Sequence, residues 1–531
     1  MSNRLRVLVA DAISLDGLTP LRDDQRFELI VKPGLKGEEL TEAISTADAV
    51  LVRSATRITR ESLARADRLK AIGRAGVGVD TIDVDAATER GIPVLTAPAG
   101  NTTSAAELTF ALLLALARRV PAADRSMKAG EWDRKSFTGI ELFGKTLGLV
   151  GAGRIGGEVA RRARAFGMRV LVYDPFLNAE RARALDVEIG TLDELLERAD
   201  VISAHVPLTE TTQNLLGEAQ IARMKRGVLI LNVARGGVID EHALLAALQS
   251  KHIGGAALDV FETEPLPADH PFRQLPNVVL TPHLGASTAE AQHNVAIEIA
   301  EAVRAALTDG DLSRAVNAPA VGGEDMRRLR PVLDLARRLG ALGAALAGGP
   351  LTRIEVRYAG SQANGLRLLA ASAVAGALTQ LGRGSVNLVN AMKLAESRGI
   401  GVEQTRQDGQ SPYAESLELR VASDAGESRV TGAVVGEGHE RLVRVDDFQV
   451  EMAPQGTLLV IRNQDAPGTM GRIGTLLGEA GMRVSQFYQS RRGNGQDALA
   501  LVSITGPVGD DTLASLAKIP NVQQAHQVQL G

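Results

Sequence analysis

Residues 145–174 read KTLGLVGAGRIGGEVARRARAFGMRVLVYD. An apolar run leads into glycines at 151, 153 and 156, a stretch with helical spacing follows, and a second β-branched run ends on Asp174. Between a strand and a helix, G-x-G-x-x-G is a phosphate cradle. Gly151 permits the tight turn, Gly153 lets a pyrophosphate approach the backbone, and Gly156 lets helix and strand pack closely. The exposed N–H groups and the helix dipole then face the anion. In a chain with 55 glycines the motif alone is weak, but its context is not. Asp174 lies 18 residues past Gly156, where a carboxylate meets the adenine ribose hydroxyls. It repels a 2′-phosphate, and no arginine follows in DPFLN, so the expected cofactor is NAD and not NADP.

Working outward, the segments ADVISAHVP, GVLILNVAR, IGGAALDVF and NVVLTPH continue the strand–helix alternation. The first hundred residues show it too, in RVLVAD, FELIVK, ADAVLVRS, LKAIGRAG and GIPVLTAP. Alternation of this kind predicts two doubly wound α/β domains with parallel sheets. Between them, Ser104 and Glu107 have capping-box spacing ahead of an almost wholly apolar helix running to about residue 117. A long helix is expected over 287–307, then a linker in AVNAPAVGGED. Residues 325–455 carry two Ala/Leu-rich helical patterns with alternating strands. The last stretch reads β-α-β-β-α-β, the ferredoxin-like order.

Three strands after the glycine motif end in polar residues: Arg235 in NVARGG, Glu264 in FETEP and His283 in TPHLGAST. Singly, each has an ordinary surface role. Together, at the carboxyl ends of strands in an open sheet, they supply what oxidation of a secondary alcohol needs. His283 has the intrinsic pKa of a general base. Glu264 would orient the ring, and Arg235 could hold a substrate carboxylate bidentately.

The chain has 531 residues, too many for one core, and three or four domains are expected. Its 59 basic and 63 acidic side chains give a net charge of −4, so no global field favours nucleic acid or an anionic membrane. Aromatics at 3% argue against base-stacking surfaces, and the absence of cysteine excludes disulfides and thiolate metal sites. No metal site is expected. The N-terminus enters a strand directly, without the pattern of a signal peptide, and a cytoplasmic protein is expected.

GRAGVGVD, GAGRIG, NVARGG, DVFETEP and TPHLGAST, in this order, resemble the D-isomer-specific 2-hydroxyacid dehydrogenases. The resemblance places that family's catalytic Arg, Glu and His on Arg235, Glu264 and His283, and its carboxamide-binding Asp on Asp259. It implies cofactor contacts at Gly151, Gly153, Arg154, Ile155, Gly156, Asp174, His205, Val206, Pro207, Val233, Ala234, Arg235, Asp259, His283, Gly285 and Ala286. VNLVNAMKLAESRGI and IRNQDAPGTMGRIGTLLGEAG further resemble the intervening and ACT domains of long-form 3-phosphoglycerate dehydrogenases. The implied domains are 1–98 with 287–316 for substrate, 99–286 for NAD, 317–455 intervening and 456–531 ACT.

The same resemblance implies 3-phosphoglycerate as substrate, oxidised as the first step of the phosphorylated route to L-serine. Substrate contacts would come from Arg53, Ser54, Arg74, Gly76, Val77, Gly78, Asn101, Arg235 and His283. Arg134 would reach over from a partner subunit, so a homodimer or homotetramer is expected. Effector contacts would fall on Asn463 and Asp465, with L-serine as the ligand. One departure is Arg483 where serine-inhibited relatives carry Asn; an arginine cannot accept hydrogen bonds, and serine feedback is expected to be weakened or absent. Two alternatives stand beside this reading. One is another D-2-hydroxyacid dehydrogenase, 2-oxoglutarate reduction included, and the other a non-catalytic NAD-sensing scaffold.

Overall fold

Strands apolar at every position need cover on both faces, and the first apolar runs find it. β1 (Leu5–Val9), β2 (Phe27–Val31), β3 (Ala49–Val52), β4 (Ala71–Arg74) and β5 (Val94–Thr96) pair in parallel in the order β2-β1-β3-β4-β5. The computed structural model describes residues 4–361, 365–382, 386–407, 412–436, 438–492 and 496–530. One face of this sheet is covered by a helix from much later in the chain, Ala289–Asp309. Its Val295, Ala296, Ile299 and Val303 share a core with Val7, Val9, Leu51 and Leu95. That helix starts two residues later than 287 because the Thr288 side chain caps it by accepting from the Ala291 N–H.

The intervening segment builds a second parallel sheet. β6 (Thr146–Val150), β7 (Arg169–Tyr173), β8 (Glu188–Ile189), β9 (Val201–Ala204), β10 (Leu229–Asn232), β11 (Gly255–Leu258) and β12 (Val278–Leu280) take the order β12-β11-β10-β9-β6-β7-β8. The order reverses between β6 and β9, and ligands bind at the carboxyl ends of strands at such a point. Helix Thr102–Ala117 packs on this sheet through Ala106, Phe110, Leu113 and Leu116.

The capping box expected at Ser104 and Glu107 does not form. The helix begins earlier, with Asn101 as N-cap. The Ser104 hydroxyl instead meets the Thr288 hydroxyl at 2.7 Å, tying together the two segments that cross between the sheets. Nearby, the Ala99 and Gly100 N–H groups both donate to Glu298 at 3.0 Å. The stretch read as a linker is also held, since Asn317 accepts from Val94 N–H and donates to the Thr88 hydroxyl and Ile92 carbonyl.

Beyond it, helices Gly323–Ala347 and Leu366–Gln380 pack on a mixed sheet. Its strands are β13 (Leu351–Ala359), β14 (Gly401–Arg406), β15 (Glu415–Ser423), β16 (Glu427–Val435), β17 (His439–Val445) and β18 (Phe448–Met452). The last unit is antiparallel: β19 (Thr457–Gln464), β20 (Arg483–Arg491), β21 (Asp497–Thr505) and β22 (Val522–Gln529), ordered β20-β21-β19-β22. Its helices, Thr469–Glu479 and Asp510–Ala517, cover one face through Ile473, Leu477 and Leu516. The other face, with Leu458, Val460, Leu499 and Val528, joins the core of the preceding unit. Among the described residues no helix is long and apolar enough to cross a membrane, and no His, Asp and Glu cluster could hold a metal ion.

Candidate active site

The glycine turn follows β6, at the point where the strand order reverses. Two of its glycines are required by the chain itself. Gly151 has φ +94°, and a Cβ on Gly156 would lie 2.2 Å from the Gly151 carbonyl oxygen. Around Gly153, the N-cap of helix Arg154–Ala165, nothing stands within 4 Å of where a Cβ would be. A bare backbone facing open space at a helix N-terminus is what a pyrophosphate needs, so these residues fit a dinucleotide. Arg154 and Ile155 open that helix.

Asp174 ends beside the turn, accepting from Ala152 N–H at 2.9 Å and from Phe176 N–H at 2.9 Å. One cation was missed by the sequence reading: Arg181, which reaches the Gly153 carbonyl at 3.2 Å. It comes from a helix seven residues past Asp174, beyond the DPFLN window. Val206 packs under Gly151, and the Pro207 carbonyl accepts from the Thr212 hydroxyl. The His205 ring pairs with the Ser203 hydroxyl at 2.9 Å, and burial pushes its pKa down to about 4. It is neutral near pH 7.

The three polar strand ends converge. His283 Nδ1 stands 2.8 Å from Glu264 Oε2, and Glu264 Oε1 accepts from Phe261 N–H at 3.1 Å. Burial alone would raise the Glu264 carboxyl, but the His283 hydrogen bond and charge, with Arg235 nearby, hold it below the ordinary range. His283 has φ +55°, a left-handed conformation that costs a non-glycine residue about 1–2 kcal/mol. Asp259 holds it there. This fully buried carboxylate accepts from the Thr281 hydroxyl at 2.6 Å, Leu284 N–H at 2.7 Å and Gly285 N–H at 2.9 Å, while its carbonyl accepts from His283 N–H. Asn232, also buried, shapes the next loop, accepting from Ala234 N–H and donating to the Arg235 carbonyl. Val233 packs close to Gly285.

Opposite lies the first unit. Asp11, at the end of β1, accepts from the N–H groups of Arg53, Ala55 and Thr56 and from the Thr56 hydroxyl, fixing the loop that carries Arg53 and Ser54. Arg53, Ser54, Arg74, Gly76, Glu264, His283 and Ala286 line one cavity of about 280 Å³, joined there by Ser14 and Gln292. Asp80, Arg235, Glu264 and His283 line an adjoining space of about 820 Å³. The His–Glu pair borders both, as do Ser54, Arg74 and Pro282. Arg74 is mostly buried, its Nε has no partner, and its Nη1 donates to the Ala75 carbonyl. Burial, with Arg235 and Arg53 close by, brings its pKa down to about 10. Asn101 Oδ1 is likewise buried without a partner. Val77 and Gly78 sit in the turn leading to Asp80, Gly78 directly under Arg235.

Two groups of expected residues stand apart from this cleft. Arg134 is exposed in the stretch after helix Val120–Lys128 and lines neither cavity of its own chain. Asn463 and Asp465 lie at and just beyond the end of β19. The Asn463 Oδ1 is buried and unpartnered, and the Asp465 carboxylate already meets Arg491 at 2.7 Å and Gln489 at 3.3 Å.

Comparison with known proteins adds the family. Residues 110–285 match the D-isomer specific 2-hydroxyacid dehydrogenase NAD binding domain, and residues 328–446 match the D-3-phosphoglycerate dehydrogenase intervening domain. Fold and site thus define an NAD-dependent oxidoreductase of the 2-hydroxyacid dehydrogenase class. The chain is 42% identical to the D-3-phosphoglycerate dehydrogenase of Synechocystis sp. over 99% of its own length and 95% of that protein. It is 40% identical to that of Bacillus subtilis over 99% of each chain. The chain belongs to the D-3-phosphoglycerate dehydrogenase family. Among solved structures it is similar to the TT0316 protein of Thermus thermophilus, with TM-score 0.53 and 41% identity over 57% of this chain and 97% of that one. An NAD-dependent formate dehydrogenase from Staphylococcus aureus in complex with NAD matches with TM-score 0.52 and 31% identity, over 57% of this chain and 96% of that one.

Proposed function

We propose that this chain acts in the cytoplasm as an NAD-dependent dehydrogenase that oxidises 3-phospho-D-glycerate to 3-phosphooxypyruvate, the first step of the phosphorylated route to L-serine. The observation that carries the substrate assignment is Arg74. A mostly buried guanidinium with an unpartnered Nε, beside Arg53 and Arg235, is a site short of negative charge. A hydroxy acid with one carboxylate supplies one anion; a phosphorylated one supplies two, far enough apart to meet Arg235 and the Arg53–Arg74 pair separately.

NAD, when bound, accepts the hydride from the carbinol carbon. It would lie along Gly151–Gly156 and Asp174, with His205, Val206, Pro207, Val233, Ala234, Gly285 and Ala286 around it. The chain's own residues handle the proton and the charges. Glu264 takes Nδ1 of His283, which leaves Nε2 as the nitrogen that removes the hydroxyl proton. The Glu264 carboxylate stabilises the imidazolium so formed. Arg235 and the Val77–Gly78 backbone hold the carboxylate and withdraw charge from the oxygen. Arg53 and Arg74 hold the phosphate, with Ser54 as a neutral partner, and Asn101 stands by the carboxylate. The test is NADH formation from 3-phosphoglycerate, glycerate and 2-hydroxyglutarate, in wild type and Arg53→Ala. Wild type should prefer the phosphorylated acid, and Arg53→Ala should erase that preference. Equal use of unphosphorylated acids by wild type refutes the substrate.

We propose a homo-oligomer. Val120, Met127, Trp132, Ile140 and Phe143, all in the stretch 120–143 that carries Arg134, are exposed apolar side chains, with Trp132 and Phe143 each 79% exposed. Burying such side chains against a second copy favours association. Multi-angle light scattering reporting a monomer would refute it. We further propose weak or absent feedback by L-serine, because Arg491 and Gln489 already engage Asp465 and Arg483 opens β20. Strong inhibition at low serine concentration refutes this.

A further inference from the structure

The arginine assigned to the substrate carboxylate has a partner outside the Arg–Glu–His set. Arg235 leaves the cofactor unit at the end of β10, whereas Asp80 belongs to the substrate unit, two residues after Gly78. Across the cleft, Asp80 Oδ2 stands 3.2 Å from Arg235 Nε. Arg235 Nη1 is fixed by its own turn, on the Ala234 carbonyl at 2.6 Å. The remaining nitrogen, Nη2, lies against Gly78, where a Cβ would come within 1.9 Å of it. Each of the three nitrogens is therefore placed, Nη1 by a hydrogen bond to its own turn, Nε by the ion pair with Asp80 and Nη2 by the bare backbone of Gly78.

From this geometry we propose that Asp80 is a positioning residue that holds Arg235 across the cleft. It keeps the Nη edge turned toward the carboxylate seat beside Val77 and Gly78. The charge distribution supports the role. Arg53, Arg74 and Arg235 crowd one region, and a guanidinium left free there is driven apart from the others. Of the other carboxylates near this cluster, Asp11 is engaged by three backbone N–H groups and the Thr56 hydroxyl, and Glu264 by His283 and the Phe261 N–H. Asp80, with its side chain 64% exposed, has no other ion pair among the described residues. Its place on the opposite unit also means that it can hold Arg235 only when the two units are close, so the pair links seating of the arginine to closure of the cleft.

This inference rests on the dehydrogenase reading, and the test separates the two. Full-length wild type, Asp80→Ala and Asp80→Glu are compared by NADH formation, with KM measured for the hydroxy acid and for NAD, and with thermal unfolding as a check on folding. In Asp80→Ala the hydroxy-acid KM should rise about tenfold, kcat should fall less than that, and the NAD KM should stay within about twofold. Asp80→Glu, which keeps a carboxylate for the ion pair with Arg235, should recover most of the loss. In an Arg235→Lys background, Asp80→Ala should add little, because the group it positions is gone. A hydroxy-acid KM in Asp80→Ala that is unchanged or lower than wild type overturns the proposal, as does an Asp80→Glu enzyme no better than Asp80→Ala. A wild type that turns over no 2-hydroxy acid overturns the dehydrogenase reading instead.

Discussion

Replacing Asp259 with Asn tests what keeps His283, the proposed base, in place. The carboxylate accepts three hydrogen bonds from the loop around His283, two of them from backbone N–H groups. An amide keeps one oxygen, which can stay on Thr281 and Leu284, but turns its NH₂ toward the Gly285 N–H. One charge-assisted hydrogen bond of about 1.5–3 kcal/mol is lost, and donor faces donor. That is as much as the roughly 1–2 kcal/mol that the left-handed His283 costs, so the loop no longer favours the active conformation. If about 2–3 kcal/mol must be found to rebuild it before each turnover, kcat falls by about 30- to 150-fold. The assay is steady-state NADH formation with both substrates varied. The loss should fall on kcat, with the NAD KM within about threefold of wild type. A variant with nearly normal kcat and a tenfold higher NAD KM would refute this reasoning and make contact with the nicotinamide carboxamide the chief role of Asp259.

His283→Ala should lower turnover by at least about a thousandfold while NADH still binds, measured by quenching of cofactor fluorescence; near-normal turnover would remove the histidine from its role. In Gly78→Ala the new Cβ would stand 1.9 Å from Arg235 Nη2 and displace the guanidinium, so kcat/KM should fall by about a hundredfold while thermal unfolding changes little. His205 gives a pH dependence of stability. Its folded pKa of about 4 lies below the ordinary value of 6.5, so the unfolded chain takes up the proton first. The contribution is intact above about pH 6.5 and is lost progressively as the pH falls toward 4. Thermal melts across that range should show a shallower decline in His205→Gln than in wild type.

The parallel sheets were legible because strands buried on both faces leave continuous apolar runs, as in TLGLV and AVLV. β8 was not, since its two residues, Glu188 and Ile189, are both exposed and carry no pattern. The Ser104–Glu107 spacing misled for a different reason. The Ser104 hydroxyl is taken by Thr288, 184 residues away, and no local rule anticipates a partner at that distance. Arg235, Glu264 and His283 could be read because each is a polar residue at an apolar strand's carboxyl end. Asp80, Asp11 and Asn232 could not. Each acts on a loop from another part of the chain or through backbone groups, and in sequence each passes for an ordinary turn residue.

What the buried polar supports share explains how the site holds its conformation. A residue with positive φ at His283, a guanidinium nitrogen without a partner at Arg74 and an orphaned carbonyl oxygen at Asn101 all oppose folding locally. Such features persist only where the surroundings over-determine them. Here the restraint comes from polar side chains deeper in the sheets, Asp259 under His283, Asp11 under Arg53 and Asn232 under Arg235, each between 0% and 3% exposed. Burying a carboxylate is costly, and three or four donated hydrogen bonds offset that cost only if the loop keeps the shape that presents them. The loop conformation and the buried acceptor therefore stabilise each other. The strain resides at the cleft surface and its support one layer below, so a substitution in the lower layer should disable the site while leaving Arg235, Glu264 and His283 all present.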